Sequence, residues 1–98
     1  MTLNDALAVL RVDSDGGEND AVVASLLEAV PGYIRVATGV SENNQIAIPL
    51  CDTAAGFLLR LWYYPEGNDA GRLQTVVDSL MKSITVLGRE INGDYNEA

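Results

Sequence analysis

The chain has 98 residues, 48% of them hydrophobic, with 6 basic and 14 acidic side chains and a formal net charge of −8. That length holds one small domain, and that hydrophobic fraction supports a packed core rather than a disordered chain. With no His and one Cys, zinc sites and His-activated nucleophiles are excluded, and the acidic balance makes nucleic acid a poor ligand for the monomer surface.

Cys51 cannot close an internal disulfide and fits a reducing compartment. Met1 to Leu10 lacks the basic start of a secretory leader. No segment reaches the ~18 apolar residues of a membrane span, so no membrane partner is expected.

The first expected helix is Thr2 to Leu10. Thr2 caps it, with Asp5 at capping-box spacing, and Leu3, Ala6, Leu7 and Leu10 share one face. A helix this short must dock on the rest of the chain to persist. Asp13 to Asp20 is a polar, acidic loop with two glycines. Its acids run into the next helix start, where negative charge favours the exposed N–H groups.

The second helix is expected from Asn19 or Asp20 to Ala37. Val22, Leu26, Ala29, Val30, Tyr33 and Ala37 form its main stripe, and Val23, Leu27 and Ile34 widen it. So broad a face implies burial on more than one side. Pro31 and Gly32 interrupt the helix, which predicts a kink near Leu27 or two consecutive helices, the kink being preferred. Gly39 stops it. Val40 to Leu50 reads as a loop or a short extended segment, with Ile46, Ile48 and Leu50 alternating with Ala47 and Pro49.

The third helix is expected from Asp52 or Thr53 to Tyr64. It contains the apolar block Ala54 to Tyr64, which holds the only Phe and the only Trp of the protein. Ala54, Phe57, Leu58, Leu61 and Trp62 form its main face, Gly56 weakens it unless a close contact uses it, and Pro65 and Gly67 end it. The fourth helix is expected from Asp69 or Ala70 to Leu87, with Leu73, Val76, Val77, Leu80, Met81, Ile84 and Leu87 at helical spacing. Asp78 and Lys82 are an i,i+4 pair. Gly88 is expected to end this helix and the domain, leaving residues 89–98 as a polar, mobile tail.

The fold class predicted is all-α: a small bundle of about four helices around a central, apolar third helix. Leu7, Leu26, Val30, Phe57, Leu58, Leu61, Trp62, Leu73, Val77 and Leu80 are the expected core.

Little in the sequence points to chemistry. Asp13 and Asp15 resemble the start of a calcium loop, but the fifth, sixth and twelfth positions would be Gly17, Glu18 and Ala24, which fail as ligands or turn residue. A solvated loop that caps the next helix explains the acids better. A carboxylate-only hydrolase would need Asp52, Glu66 or Asp69, and all three sit near helix ends where capping accounts for them. Trp62, Tyr63 and Tyr64 lack the basic groove that a base-stacking platform requires. No enzyme activity, metal or cofactor is expected.

The order of segments resembles a known family. A short helix ending Ala-Val-Leu-Arg-Val-Asp leads through an acidic loop to Asn-Asp-Ala-Val-Val-Ala-Ser-Leu-Leu-Glu-Ala-Val-Pro-Gly-Tyr-Ile and Ala-Thr-Gly. A helix rich in Ala and Leu then closes on Trp62-Tyr63, followed by a turn and a last helix. Over residues 3 to about 88 this is similar to the head–tail connector proteins of tailed bacteriophages and prophages. Two departures stand out: Pro31-Gly32 before Tyr33, and Tyr64-Pro-Glu-Gly after Trp62-Tyr63.

The resemblance implies an all-helical protomer without enzymatic activity or cofactor. Copies would form a ring below the portal protein, in the virion at the head–tail junction, after assembly in the host cytoplasm. The ring would extend the channel through which DNA passes without specific binding, and seat a tail-side adaptor or stopper protein. A closed ring needs two different surfaces meeting head to tail. The expected interface residues are Val23, Leu27 and Ile34 on the second helix, Ile46, Ile48 and Leu50 in the loop after it, and Tyr64. Arg35, Arg60 and Arg72 read first as surface or intramolecular ion pairs, and second as candidates for pairing across subunits with Asp13 and Asp15. The alternative is a small acidic helical adaptor or regulatory module that binds protein as a dimer.

Overall fold

The computed structural model describes residues 1–64 and 70–92. It is all-helical, with α1 at Leu3–Leu10, α2 at Glu18–Thr38, a single turn α3 at Glu42–Gln45, α4 at Pro49–Tyr63 and α5 at Ala70–Asn92. Four of these are the expected helices and the fifth, α3, is a turn within the expected loop. The Pro65–Asp69 turn and the end of the expected tail, residues 93–98, lie outside the described residues.

The first helix forms by the predicted chemistry. The Thr2 hydroxyl accepts from the Asp5 N–H at 3.2 Å, and the Asp5 carboxylate accepts from the Thr2 N–H at 3.0 Å. Arg11 ends the helix in the left-handed region (φ 59°), with its N–H and that of Val12 bonded back to Ala8 and Leu7.

Pro31 does not divide α2 into two helices; the helix runs through it unbroken. Gly39, left-handed at φ 78°, closes α2 with its N–H on the Arg35 carbonyl. Gly32 has open space where a Cβ would stand. Replacing it by Ala is therefore expected to stabilise the fold by about 0.5–1 kcal/mol through helix propensity, read as a rise in thermal midpoint. No rise would mean that α2 needs the glycine.

The segment Val40 to Leu50 is not extended. Ser41 caps α3 by accepting from the Asn44 N–H at 3.3 Å. The third predicted helix starts earlier than Asp52, because Pro49 occupies the first turn of α4, where its fixed φ suits the helix and its missing N–H costs nothing.

The last helix differs most. It does not stop at Gly88 but continues to Asn92, so residues 89–92 belong to the helix and not to a tail. Gly88 is buried, and a side chain there would run into Val40. This glycine marks a close approach rather than a helix end.

α4 is central, packing against α1, α2 and α5, while α3 bridges α2 and α5. The core runs from Ala6, Leu7 and Leu10 through Val23, Val30 and Ile34 to Ala54, Leu58, Leu59, Val77 and Ile84. Of the expected core, Leu7, Val30, Leu58 and Val77 are buried. Leu26, Phe57, Trp62 and Leu80 are half-buried against it, and Leu61 and Leu73 are half-buried as well.

Candidate functional site

The aromatic end of α4 is a structural corner. Tyr63 donates its hydroxyl to Asn19 Oδ1 at 2.5 Å, and Tyr64 donates to the Leu10 carbonyl at 3.1 Å. The two rings meet edge to face at 4.7 Å. The end of α4 is thus tied to the end of α1 and the start of α2. Trp62 stands edge to face with Tyr33 of α2 at 5.5 Å. Tyr64 remains 47% exposed, so its ring is available at the surface although its hydroxyl is engaged.

The acidic loop is closed on itself. Asp15 accepts the backbone N–H groups of Gly17 at 2.9 Å, Asn19 at 3.1 Å and Asp20 at 3.2 Å. Asp20 in return accepts from the Ser14 hydroxyl and from the Asp15 and Gly16 N–H groups. Asp15 thus caps the start of α2, where Gly17 offers no side-chain acceptor, while Asp20 in the first turn reaches back to hold the loop. Among the described residues, no three Asp, Glu or Cys groups converge on a metal position.

The N–H groups of Gly17 and then Asp20 hold the Asp15 carboxyl below its ordinary value of 3.8. A carboxyl depressed in the folded state adds stability that is present above its unfolded pKa and is lost as pH falls through the folded value. The amide signals of Gly17 to Asp20 are therefore expected to titrate below pH 3.8, and Asp15→Ala should remove that titration. Amides that stay insensitive to acid would show the loop to be held by other contacts.

A groove of about 320 Å³ lies between α2, α3 and α4. Leu27, Val30 and Ile34 wall it on α2, Cys51 and Ala55 on α4. Burial, and then the neighbouring Asp52 charge, push the Cys51 thiol above its ordinary pKa, so it is a neutral wall of the groove and not a nucleophile.

Gln45, which lies in the segment expected to be a loop or a short extended stretch, is the buried polar side chain of this region at 8% exposure. Its amide donates to the Pro31 carbonyl at 3.0 Å and the Val40 carbonyl at 3.1 Å. It stitches α3 to α2 and to the segment that faces Gly88. Gln45→Leu is expected to cost about 1–3 kcal/mol by leaving a carbonyl unpaired, read as a lower urea midpoint. An unchanged midpoint would remove Gln45 from the packing account.

The expected interface divides. Val23 is fully buried, and Ile34 and Ile48 are buried at 1% and 3% exposure. They are core residues of the protomer, not surface: α1, α4 and α5 all pack on α2, and Val23, Ile34 and Ile48 belong to the single buried cluster that results. Leu27 and Leu50 are half-buried against the core. Ile46 is 85% exposed beside the groove. Further large apolar side chains are exposed where the sequence reading did not place an interface: Val22 and Val36 on α2, and Val86, Leu87 and Ile91 on α5.

Arg35 lies 4.0 Å from Glu42 in an exposed pair, and Arg60 and Arg72 are exposed. Among the described residues, none of the three pairs with Asp13 or Asp15 within the protomer. α2 is long and apolar enough by composition to cross a membrane, contrary to the sequence expectation, but here its Val23, Val30 and Ile34 face is part of the helical core. No family model, no curated protein and no solved structure matches this chain.

Proposed function

We propose that this chain is a structural head-completion protein of a tailed phage or prophage. Copies form a ring between the portal and the tail-side adaptor or stopper, and DNA passes through without specific binding. The protein has no catalytic role and no cofactor, and it acts in the virion at the head–tail junction after assembly in the host cytoplasm. A bend of α2 at Pro31, where the helix lacks a donor, belongs to the same reading.

The observation that carries it is the placement of large apolar side chains outside the core of so small a helical protomer. Val22 and Val36 on α2, Ile46 beside the groove, and Val86, Leu87 and Ile91 on α5 are all exposed. Surfaces on several elements suit a protomer that contacts different neighbours on different sides. The ordered resemblance to connector proteins over residues 3 to 88 agrees. The test is mass measurement of the concentrated protein, alone and with the portal protein. A closed species of more than two copies is expected; monomers under both conditions would refute the reading.

One observation favours the adaptor reading. Val22, Leu26, Ala29, Tyr33 and Val36 follow alternating four- and three-residue spacing along α2, the pattern of a helix-pairing seam. A monodisperse two-fold dimer abolished by Val36→Asp, with no affinity for portal or tail components, would establish it instead.

A further inference from the structure

The groove and the outer face of α5 are complementary surfaces on different parts of the protomer. The groove is apolar within, and two carboxylates, Glu42 and Asp52, stand at its border with side chains 60% and 77% exposed. Ile46 is exposed beside them. Their contacts in the protomer are long: Arg35, itself exposed, stands 4.0 Å from Glu42, and the ammonium of Met1, whose side chain is largely covered, stands 3.8 Å from the exposed Asp52. Pairs of this kind exchange readily for better ones.

On α5, Lys82, Val86 and Arg89 are spaced by four and three residues and form one stripe. All three are exposed. The stripe lies opposite the face that buries Val77, Met81 and Ile84. An exposed valine thus stands between two of the six cations of the chain. Asp78, one turn earlier, is already engaged by the Gln74 amide at 2.9 Å. Among the described residues, none of α5 lines the groove, so one protomer can use both surfaces at once.

We propose that the Lys82, Val86 and Arg89 stripe of one copy seats in the groove of the next. Val86 packs on Ile46 and the apolar wall, while Lys82 and Arg89 meet Glu42 and Asp52. A second copy is the occupant because both halves of the charge match belong to the same chain. At a net charge of −8 copies repel one another unless cations of one face carboxylates of the other. The contact joins unlike surfaces, so it propagates head to tail into a ring or a filament. The inference rests on the ring reading above and adds which surfaces meet.

The test uses two variants of the full chain. Ile46→Glu spoils the groove, and Lys82→Glu with Arg89→Glu spoils the stripe. All are exposed positions, and circular dichroism checks that the fold is kept. Sedimentation of the wild type should show species larger than dimers, while each variant alone should need at least tenfold higher concentration to associate. An equimolar mixture of the two should stop at a dimer, since only one intact interface remains. Glu42→Lys with Asp52→Lys should restore assembly to the Lys82→Glu, Arg89→Glu chain. If the wild type assembles only on the portal protein, the variants are read there by the same criteria.

Variants that form the wild-type ring overturn the inference and leave the ring reading standing, as does a mixture that forms no dimer. A wild type that is a closed two-fold dimer, or monomeric with and without the portal protein, overturns both.

Discussion

Gly88→Ala is expected to destabilise the protein, although it replaces the poorest helix former in α5 save proline with the best. Propensity alone predicts a gain of about 1 kcal/mol. The new Cβ would fall far inside contact with Val40 Cγ2 and lie only 3.4 Å from Val40 Cβ. Val40 is 1% exposed, and a β-branched side chain has few rotamers to retreat into. Overpacking of this kind costs about 1–3 kcal/mol, so the net effect is a loss, with the thermal midpoint falling by about 4–8 °C for each kcal/mol at this size. A double-mutant cycle separates the causes. In a Val40→Ala background the clash is gone, and Gly88→Ala should then be neutral or stabilising, a coupling above about 0.5 kcal/mol. Gly88→Ala that stabilises in both backgrounds would show that α5 and Val40 do not approach this closely.

The second large effect is a contrast between two isoleucines that the sequence placed in the same interface. Ile34 is 1% exposed and Ile46 is 85% exposed. Ile34→Asp buries a carboxylate without a partner, a change that belongs to the severe class of several kcal/mol. A domain of this size has about 5–15 kcal/mol in total, so the variant should be unfolded or nearly so. Ile46→Asp removes little burial and should shift stability by less than about 0.5 kcal/mol, while weakening self-association. Urea unfolding followed by circular dichroism gives both numbers. Equal stability losses at the two positions would contradict the placement of Ile34 in the protomer core and Ile46 on its surface.

Much of the helical content was legible because local chemistry sets it. Thr2 and Asp5 announce α1, Gly39 announces the end of α2, and the apolar block announces the central α4. What was hidden depended on contacts distant in sequence. Along α2, two apolar seams lie about a quarter of a turn apart, one through Val22, Leu26, Ala29 and Tyr33, the other through Val23, Val30 and Ile34. Periodicity cannot say which one α1 and α4 will cover. The second was covered, which turns Val23 and Ile34 from interface to core, while Val30 is buried as expected and Leu26 is half-buried against the core.

Gly88 reads as a stop in any local rule, and only its approach to Val40 reveals that it lets α5 pass close by. Pro49 seemed to belong to an extended segment, yet proline in the first turn of a helix is equally compatible with its sequence. Gln45 sat unremarked among Glu42, Asn43 and Asn44, because nothing local shows that Pro31 and Val40 will both aim carbonyls at it. On α5, the four-and-three spacing of Lys82, Val86 and Arg89 was present in the sequence. Two local rules mask it: Asp78 stands at i,i+4 spacing to Lys82, and Gly88 places Arg89 beyond an expected helix end.

The central claim is that the apolar side chains left outside this core are contacts to further copies of the chain in a closed assembly. Native mass measurement of the concentrated wild-type protein, repeated with the portal protein, tests it most directly. One discrete species of more than two copies is expected in at least one of the two conditions. A monomer or a monodisperse dimer in both would contradict it.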